Sequence, residues 1–242
     1  WNDGNGTHAY SDAENLISAA RLVIEAFDRT RNENGYLSLF QYRSLRDILR
    51  GAKSTGDKTQ AIVAGTGCGK SYGFQLGTLI SLVHDLLSEK GPSLRVHTIL
   101  MYPRVALILD QRNGIIDIIK EINQSLDNCE IRWATDAKGE LKLTDYCRLV
   151  DPSVTNDEIE RMGIRKAIEG IYRDNCPHII FANPDTLRNR LWNPISSRAL
   201  CSSLKHIVFD EIHLLESITG ANTSMVLRRI MAGTSRPDEL MI

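Results

Sequence analysis

Cysteine is scarce and scattered in this sequence. There are five in 242 residues, at Cys68, Cys129, Cys147, Cys176 and Cys201, and no two form a C-x-x-C pair. This excludes a disulfide-stapled scaffold and a thiolate zinc knuckle, and it predicts reduced thiols in a cytoplasmic protein. The six histidines show no metal-ligand spacing. No apolar run approaches the ~18 residues that a membrane helix needs, so the reading is a soluble protein without a membrane partner. Neither sign of charge dominates, with 29 Lys+Arg against 30 Asp+Glu and a net charge of −1. A polyanionic partner would therefore have to be held by local patches and not by a bulk field. Internal repeats and low-complexity tracts are missing too, which excludes solenoids and collagen-like or disordered chains. What is present, 42% hydrophobic and 24% charged residues, suffices for one large domain or one domain with an appendage. The chain opens on Trp1 and runs polar to His8, unlike a signal peptide, which suggests a piece of a longer protein.

Leu16, Ala20, Val23, Ile24 and Phe27 recur at helical spacing over 11–31, and a second short helix is predicted over 39–49, stopped by Gly51. A regular alternation follows. Strands are predicted at 60–64, 95–102, 130–134, 178–182 and 205–209. Helices are predicted from Tyr72 to Leu86, over 105–126, over 156–172 and over 184–191, with 136–155 irregular and a loop after residue 191. Strands alternating with helices of this length imply an α/β fold, a mostly parallel sheet with helices on both faces. In such sheets the ligand site lies beyond the carboxyl ends of the strands. That rule selects 64–71, 102–104, 183–186 and 210–213.

Ala64-Gly65-Thr66-Gly67-Cys68-Gly69-Lys70-Ser71 lies between a predicted strand and a predicted helix. The three glycines let backbone N–H groups close around phosphate oxygens at a helix N-terminus. Lys70 would then reach the β- and γ-phosphates, and the Ser71 hydroxyl would take one Mg²⁺ position. A glycine turn followed by a chance Gly-Lys-Ser is the bland alternative. His206-Ile207-Val208-Phe209-Asp210-Glu211-Ile212-His213 ends an apolar strand in two carboxylates. Phosphoryl transfer needs one carboxylate in the Mg²⁺ shell, which suits Asp210, and another to polarise the attacking water, which suits Glu211. A solvated Asp-Glu pair before the next helix is the competing reading, and His213 could be no more than a polar residue at a helix start.

The phosphate loop departs from G-x-x-x-x-G-K-[ST] in having Ala64 at its first position. Ala-x-Thr-Gly-x-Gly-Lys-Ser resembles the first motif of superfamily 2 helicases, and Asp-Glu-Ile-His resembles motif II of their DExH branch. Met101-Tyr102-Pro103-Arg104 through Gln111 resembles motif Ia, where the helix start holds the backbone of a single strand. Pro103 could equally open a helix, and Arg104 could be simply exposed. Ile180 to Leu187, with Asn183, Pro184, Asp185 and Thr186, resembles the "TNPDxL" form of a second strand-contacting motif. A helix cap would use the same residues. Arg188, Arg190 and Arg198 follow, and a charge cluster of this kind is commonly a solvated face. Leu39 to Leu45 resembles the glutamine motif with Gln41 in place to read adenine through its amide, although Phe40 replaces the usual His. The stretch 216–230 resembles the Lhr-like and MrfA-like repair helicases and relatives from phage-defence islands.

The resemblance spans 36–242 through five ordered motifs. It implies the first RecA-like, ATP-binding domain of a DExH helicase or translocase, with 1–35 as a helical N-terminal extension. ATP and Mg²⁺ are the implied cofactors, held by Gln41, Gly65, Thr66, Gly67, Cys68, Gly69, Lys70 and Ser71, with Ser71 and Asp210 on the metal. Lys70, Asp210, Glu211 and His213 are the implied catalytic set. Nucleic acid, DNA ahead of RNA, would run over Pro103, Arg104, Asn183, Asp185 and Thr186. The resemblance also places the third motif just after a strand beginning at 240–242, and a second RecA-like domain of the same protein beyond it. The isolated chain would then hydrolyse ATP barely at all. Two other classes fit parts of the pattern. One is a catalytically silent nucleic-acid-binding module, against which intact Lys70, Asp210 and Glu211 argue. The other is a different P-loop phosphotransferase, which has no use for the motif Ia match.

Overall fold

Four short segments make the sheet, three of them rich in Ile, Leu, Val or Phe and the fourth the mixed Trp133-Ala134-Thr135-Asp136. In the computed structural model they are β1 (Thr98–Met101), β2 (Trp133–Asp136), β3 (Ile179–Ala182) and β4 (His206–Phe209). All pair in parallel, in the order β2-β3-β1-β4, with Met101 level with both Ala182 and Phe209. The structure describes residues 4–31, 36–51, 59–63, 69–88, 95–126, 129–137, 155–174, 176–214, 217–234 and 240–242. The helices are α1 (Gly4–Arg31), α2 (Leu39–Gly51), α3 (Lys70–Leu87), α4 (Val105–Gln124), α5 (Asn156–Met162), α6 (Ile164–Asp174), α7 (Pro184–Arg190), α8 (Pro194–Cys201) and α9 (Ser217–Gly233). Strands with no alternation of polar residues, buried throughout as in β1 and β3, are those of a parallel sheet covered on both faces. No described helix is long and apolar enough to cross a membrane.

The chain divides into two compact units, 1–94 with 113–131, and 95–112 with 132–242. In the first, α1 and α2 both pack on α3. Phe27 of α1 meets Tyr72 of α3 edge to face with ring centroids 5.2 Å apart, and the Arg31 guanidinium lies over both rings. His84 Nε2 of α3 sits 2.8 Å from Asp12 Oδ1 of α1. Helices α2 and α3 approach closely because α3 has no side chain at two facing positions: a Cβ on Gly73 would stand 3.1 Å from Ser44 Cβ, and one on Gly77 3.0 Å from Ile48 Cδ1. In the second unit the sheet and α6 to α9 share one core, built around Ile99, Ile180, Tyr172, Leu187, Leu200 and Ile230.

Several predicted elements differ. Residues 59–63 form no strand, and Ala64 lies outside the described residues; Val63 is 86% exposed, and an apolar pentapeptide becomes a strand only where a neighbour takes up its backbone groups. β2 begins at Trp133 and not at residue 130, because the residues before it are bonded elsewhere. The Asn123 side-chain amide pairs with both backbone groups of Ile131, and Arg132 N–H donates to His178 Nδ1. The helix predicted over 156–172 is two helices, divided at Gly163, whose φ of 67° no helix accepts. The loop expected after residue 191 contains α8: Asn193 caps it by accepting from Ile195 and Ser196 N–H, and Pro194 occupies the first turn. The strand expected to begin at 240–242 is present as a single parallel bridge from Met241 to His206.

Candidate functional site

In the first unit, the end of the glycine-rich segment is described from Gly69 onward; Gly65, Thr66, Gly67 and Cys68 lie outside the described residues. Gly69 holds φ 69° and ψ 35° as the residue before α3, a left-handed conformation that glycine reaches without steric cost. It offers no side-chain cap, so the first-turn N–H groups of an 18-residue helix face forward without a built-in acceptor. Lys70 and Ser71 are the first two residues of that helix and are half-buried. A cation, a hydroxyl and a helix N-terminus converge there, which is the donor set that a phosphate chain requires.

Gln41 of α2 is tied to this turn. Its Nε2 donates to the Gly69 carbonyl at 3.2 Å, and its Oε1 accepts from Ser38 N–H at 2.9 Å. The residue is buried. Each end of the amide thus has a protein partner, so the glutamine braces the end of the loop. A base edge would have to use the remaining N–H and lone pair.

In the second unit, parallel register brings three of the selected segments to one edge of the sheet. Tyr102 N–H donates to Ala182 O and Asp210 N–H donates to Met101 O, both at 3.0 Å. The residues following β1, β3 and β4 are therefore neighbours. Asp210 Oδ1 accepts from Glu211 N–H at 2.9 Å. Glu211 itself has φ 52°, the single non-glycine residue with positive φ among the described residues. A left-handed glutamate costs ~1–2 kcal/mol, and such strain is characteristic of functional turns. The conformation carries the chain from β4 directly into the turn Ile212–Leu214 and leaves both carboxylates at the strand end. His213 is exposed, with Nδ1 3.2 Å from Glu211 Oε2.

Arg104 and Asp185 are exposed at the same edge, Pro103 is half-buried, and Asn183 and Thr186 are buried. Asn183 is the cap of α7: its Oδ1 accepts from Thr186 N–H at 2.9 Å. The helix-cap role thus exists, and it fixes where Asp185 and the start of α7 stand. Sequence reasoning missed Asp136, the last residue of β2. It is fully buried, accepts two hydrogen bonds from Arg190 at 2.7 and 3.0 Å, and takes a third from Tyr172 Oη at 2.6 Å. It stands two residues past the predicted end of that strand at 134, and no motif marks it.

The comparisons agree with this architecture. A profile of the DEAD/DEAH box helicase family matches residues 38–241. The ATP-dependent helicase Lhr-Core of Methanocaldococcus jannaschii is 29% identical over 180 residues, covering 72% of this chain and 18% of that protein. The chain thus spans less than a fifth of that relative's length. Among solved structures, the DEAD-box helicase Mss116 bound to ssRNA and UDP-BeF superposes with a TM-score of 0.61 at 15% identity, over 89% of this chain and 36% of the other. The DUF1998 helicase MrfA bound to DNA and AMPPNP does so with a TM-score of 0.57 at 20% identity, over 88% of this chain and 24% of the other. With the family profile spanning both the helix N-terminus at Lys70 and the acidic end of β4, the chain belongs to the DEAD/DEAH box helicase family and has its RecA-like fold.

Proposed function

We propose that this chain is the ATP-binding motor domain of a nucleic-acid-dependent ATPase that moves along or unwinds nucleic acid, DNA ahead of RNA. The observation that carries the reading is the turn at Gly69, which delivers Lys70 and Ser71 to the uncapped start of α3. Lys70 would hold the β- and γ-phosphates together with the backbone N–H groups of 65–69. Mg²⁺ bound with ATP would neutralise charge on the transferring phosphate, and Ser71 and Asp210 are the residues proposed to hold it. Glu211 would orient and deprotonate the attacking water, and His213, within reach of Glu211, would link that site to the rest of the motor. Gln41 braces the residue that ends the loop and would stand beside the nucleotide. Pro103, Arg104, Asn183, Asp185 and Thr186 form the proposed strand-contacting edge, with Arg104 the exposed cation. The Mss116 structure with ssRNA and UDP-BeF bound, and the MrfA structure with DNA and AMPPNP bound, support the same pairing of ligands. A second RecA-like domain of the same protein is the proposed partner for closure over ATP, and a cytoplasmic location fits the reduced thiols.

The test is thermal stabilisation of the chain by Mg-ATP, which ligand linkage makes concentration-dependent. Wild type should be stabilised and Lys70→Ala should not. Equal stabilisation of the variant would overturn the nucleotide assignment. Turnover of the full-length protein with single-stranded DNA, duplex DNA and RNA, measured side by side, tests the partner.

A further inference from the structure

Trp192, in the turn between α7 and α8, is 69% exposed. Its ring is not loose on the surface. Trp192 N–H donates to Asn189 O, and the next residue, Asn193, caps α8 while its amide donates to Glu169. The backbone on both sides of the indole is therefore fixed. Arg229 of α9 lays its guanidinium over the ring, 3.8 Å from the centroid. Backed on one face by that cation, the indole presents its other face outward.

The surroundings are basic in a chain that is not. Helices α7, α8 and α9 carry Arg188, Arg190, Arg198, Arg228 and Arg229 against Asp185, with Glu169 of α6 the further carboxylate beside the turn, while the whole sequence has a net charge of −1. Arg190 is committed to buried Asp136. Arg188 stands one helical turn before Trp192, and Met225, 54% exposed, stands one turn before Arg229. A large apolar ring left in water amid cations has a reason if a flat, anionic ligand covers it. Single-stranded nucleic acid is such a ligand, since its bases stack on aromatic faces and its phosphates seek arginine. An acidic peptide would satisfy the charges and waste the ring. The platform also lies near the path of the strand: α7 begins at the strand-contacting edge and runs about 10 Å, at ~1.5 Å per residue, and Trp192 follows two residues beyond its end.

We infer that Trp192, backed by Arg229 and one helical turn beyond Arg188, is a base-stacking platform for a single strand leaving the edge at Arg104. The inference rests on the nucleic-acid reading above and extends the binding surface beyond the residues named there. The experiment is fluorescence anisotropy of a labelled twelve-nucleotide oligothymidylate titrated with the 242-residue chain. Trp192→Ala should weaken binding roughly 5- to 100-fold, the usual loss of one stacked base. Trp192→Phe should stay within a few-fold of wild type. An abasic oligomer of the same length should bind wild type and Trp192→Ala equally. Because the ring is exposed, the variant's melting temperature should not move. If Trp192→Ala binds as wild type while Arg104→Ala is weakened, the edge reading stands and the platform falls. If wild type binds no oligonucleotide, both fall. Competition by poly-glutamate as effective as by the oligonucleotide would replace this inference with an acidic-protein surface.

Discussion

Gln41 Nε2 hydrogen-bonds the Gly69 carbonyl across 3.2 Å, joining α2 to the residue that turns the chain into α3. A methyl group on Gly69 would collide with that same Nε2. The two residues are therefore constrained by one another as well as by φ. Gly69→Ala should destabilise the chain by ~1–2 kcal/mol from the left-handed backbone alone, plus the displacement of the glutamine. In Gly69→Ala/Gln41→Ala the steric part should vanish and the backbone part remain, a coupling that a double-mutant cycle of urea midpoints measures. Additive losses would show that the glutamine is indifferent to the turn.

Glu211 combines a left-handed backbone with the role proposed for the catalytic base. Glu211→Gly should relax the turn and raise stability by about 1 kcal/mol, which for a chain of this size is a melting rise of ~2–4 °C. The same variant should abolish ATP turnover in the full-length protein. Stabilisation with full turnover would place the base elsewhere, and a loss of stability would show that the carboxylate holds the turn.

Arg190 makes the bidentate contact to Asp136, whose side chain is wholly buried. Removing the cationic partner of such a buried pair takes away much of its charge compensation, typically a loss of ~3–5 kcal/mol. Arg190→Met should therefore cost on the order of 3 kcal/mol in chemical denaturation. Tyr172→Phe, which removes one of three hydrogen bonds to the carboxylate, should cost ~1 kcal/mol. Asp136→Asn combined with Arg190→Met should recover much of the single-variant loss.

His178 lies buried at the start of β3. Burial first, then the nearby Arg132 guanidinium and His97, pushes its pKa down to about 3. The folded state thus keeps the ring neutral, while the unfolded chain takes up a proton near 6.5. Stability from this group is complete above that value, falls as pH drops below it, and levels off only near 3. Urea midpoints should decline from pH 7 to pH 4. His178→Gln should flatten that part of the profile even if it lowers stability at pH 7.

How much of this was legible depended on whether the deciding forces were local. Helix α7 could be read from Asn183-Pro184 because a cap and an N1 proline act within one turn. The strands β1, β3 and β4 could be read because each is centred on a run of Ile, Leu, Val or Phe bounded by polar or turn-forming residues. Residues 60–63 met the same apolar criterion and form no strand, since pairing is a property of two segments and not of one. Helix α8 was missed although Asn193-Pro194 repeats the signal of Asn183-Pro184, and the division at Gly163 was missed because glycine's φ is not encoded in hydrophobic period.

By itself the sequence determined where the candidate phosphate and acid segments lie: the glycines before Lys70-Ser71, and the carboxylates Asp210-Glu211. Periodicity and glycine freedom act over a few residues and need no partner. Only the tertiary structure decided the order β2-β3-β1-β4 and its register, which make Tyr102, Asn183 and Asp210 neighbours. It alone decided that Gln41 bonds Gly69, that Asp136 is neutralised by Arg190, and that Arg229 stacks on Trp192. Each of those contacts joins residues 28 or more positions apart, and only the packed core pays the loop entropy that brings such residues together.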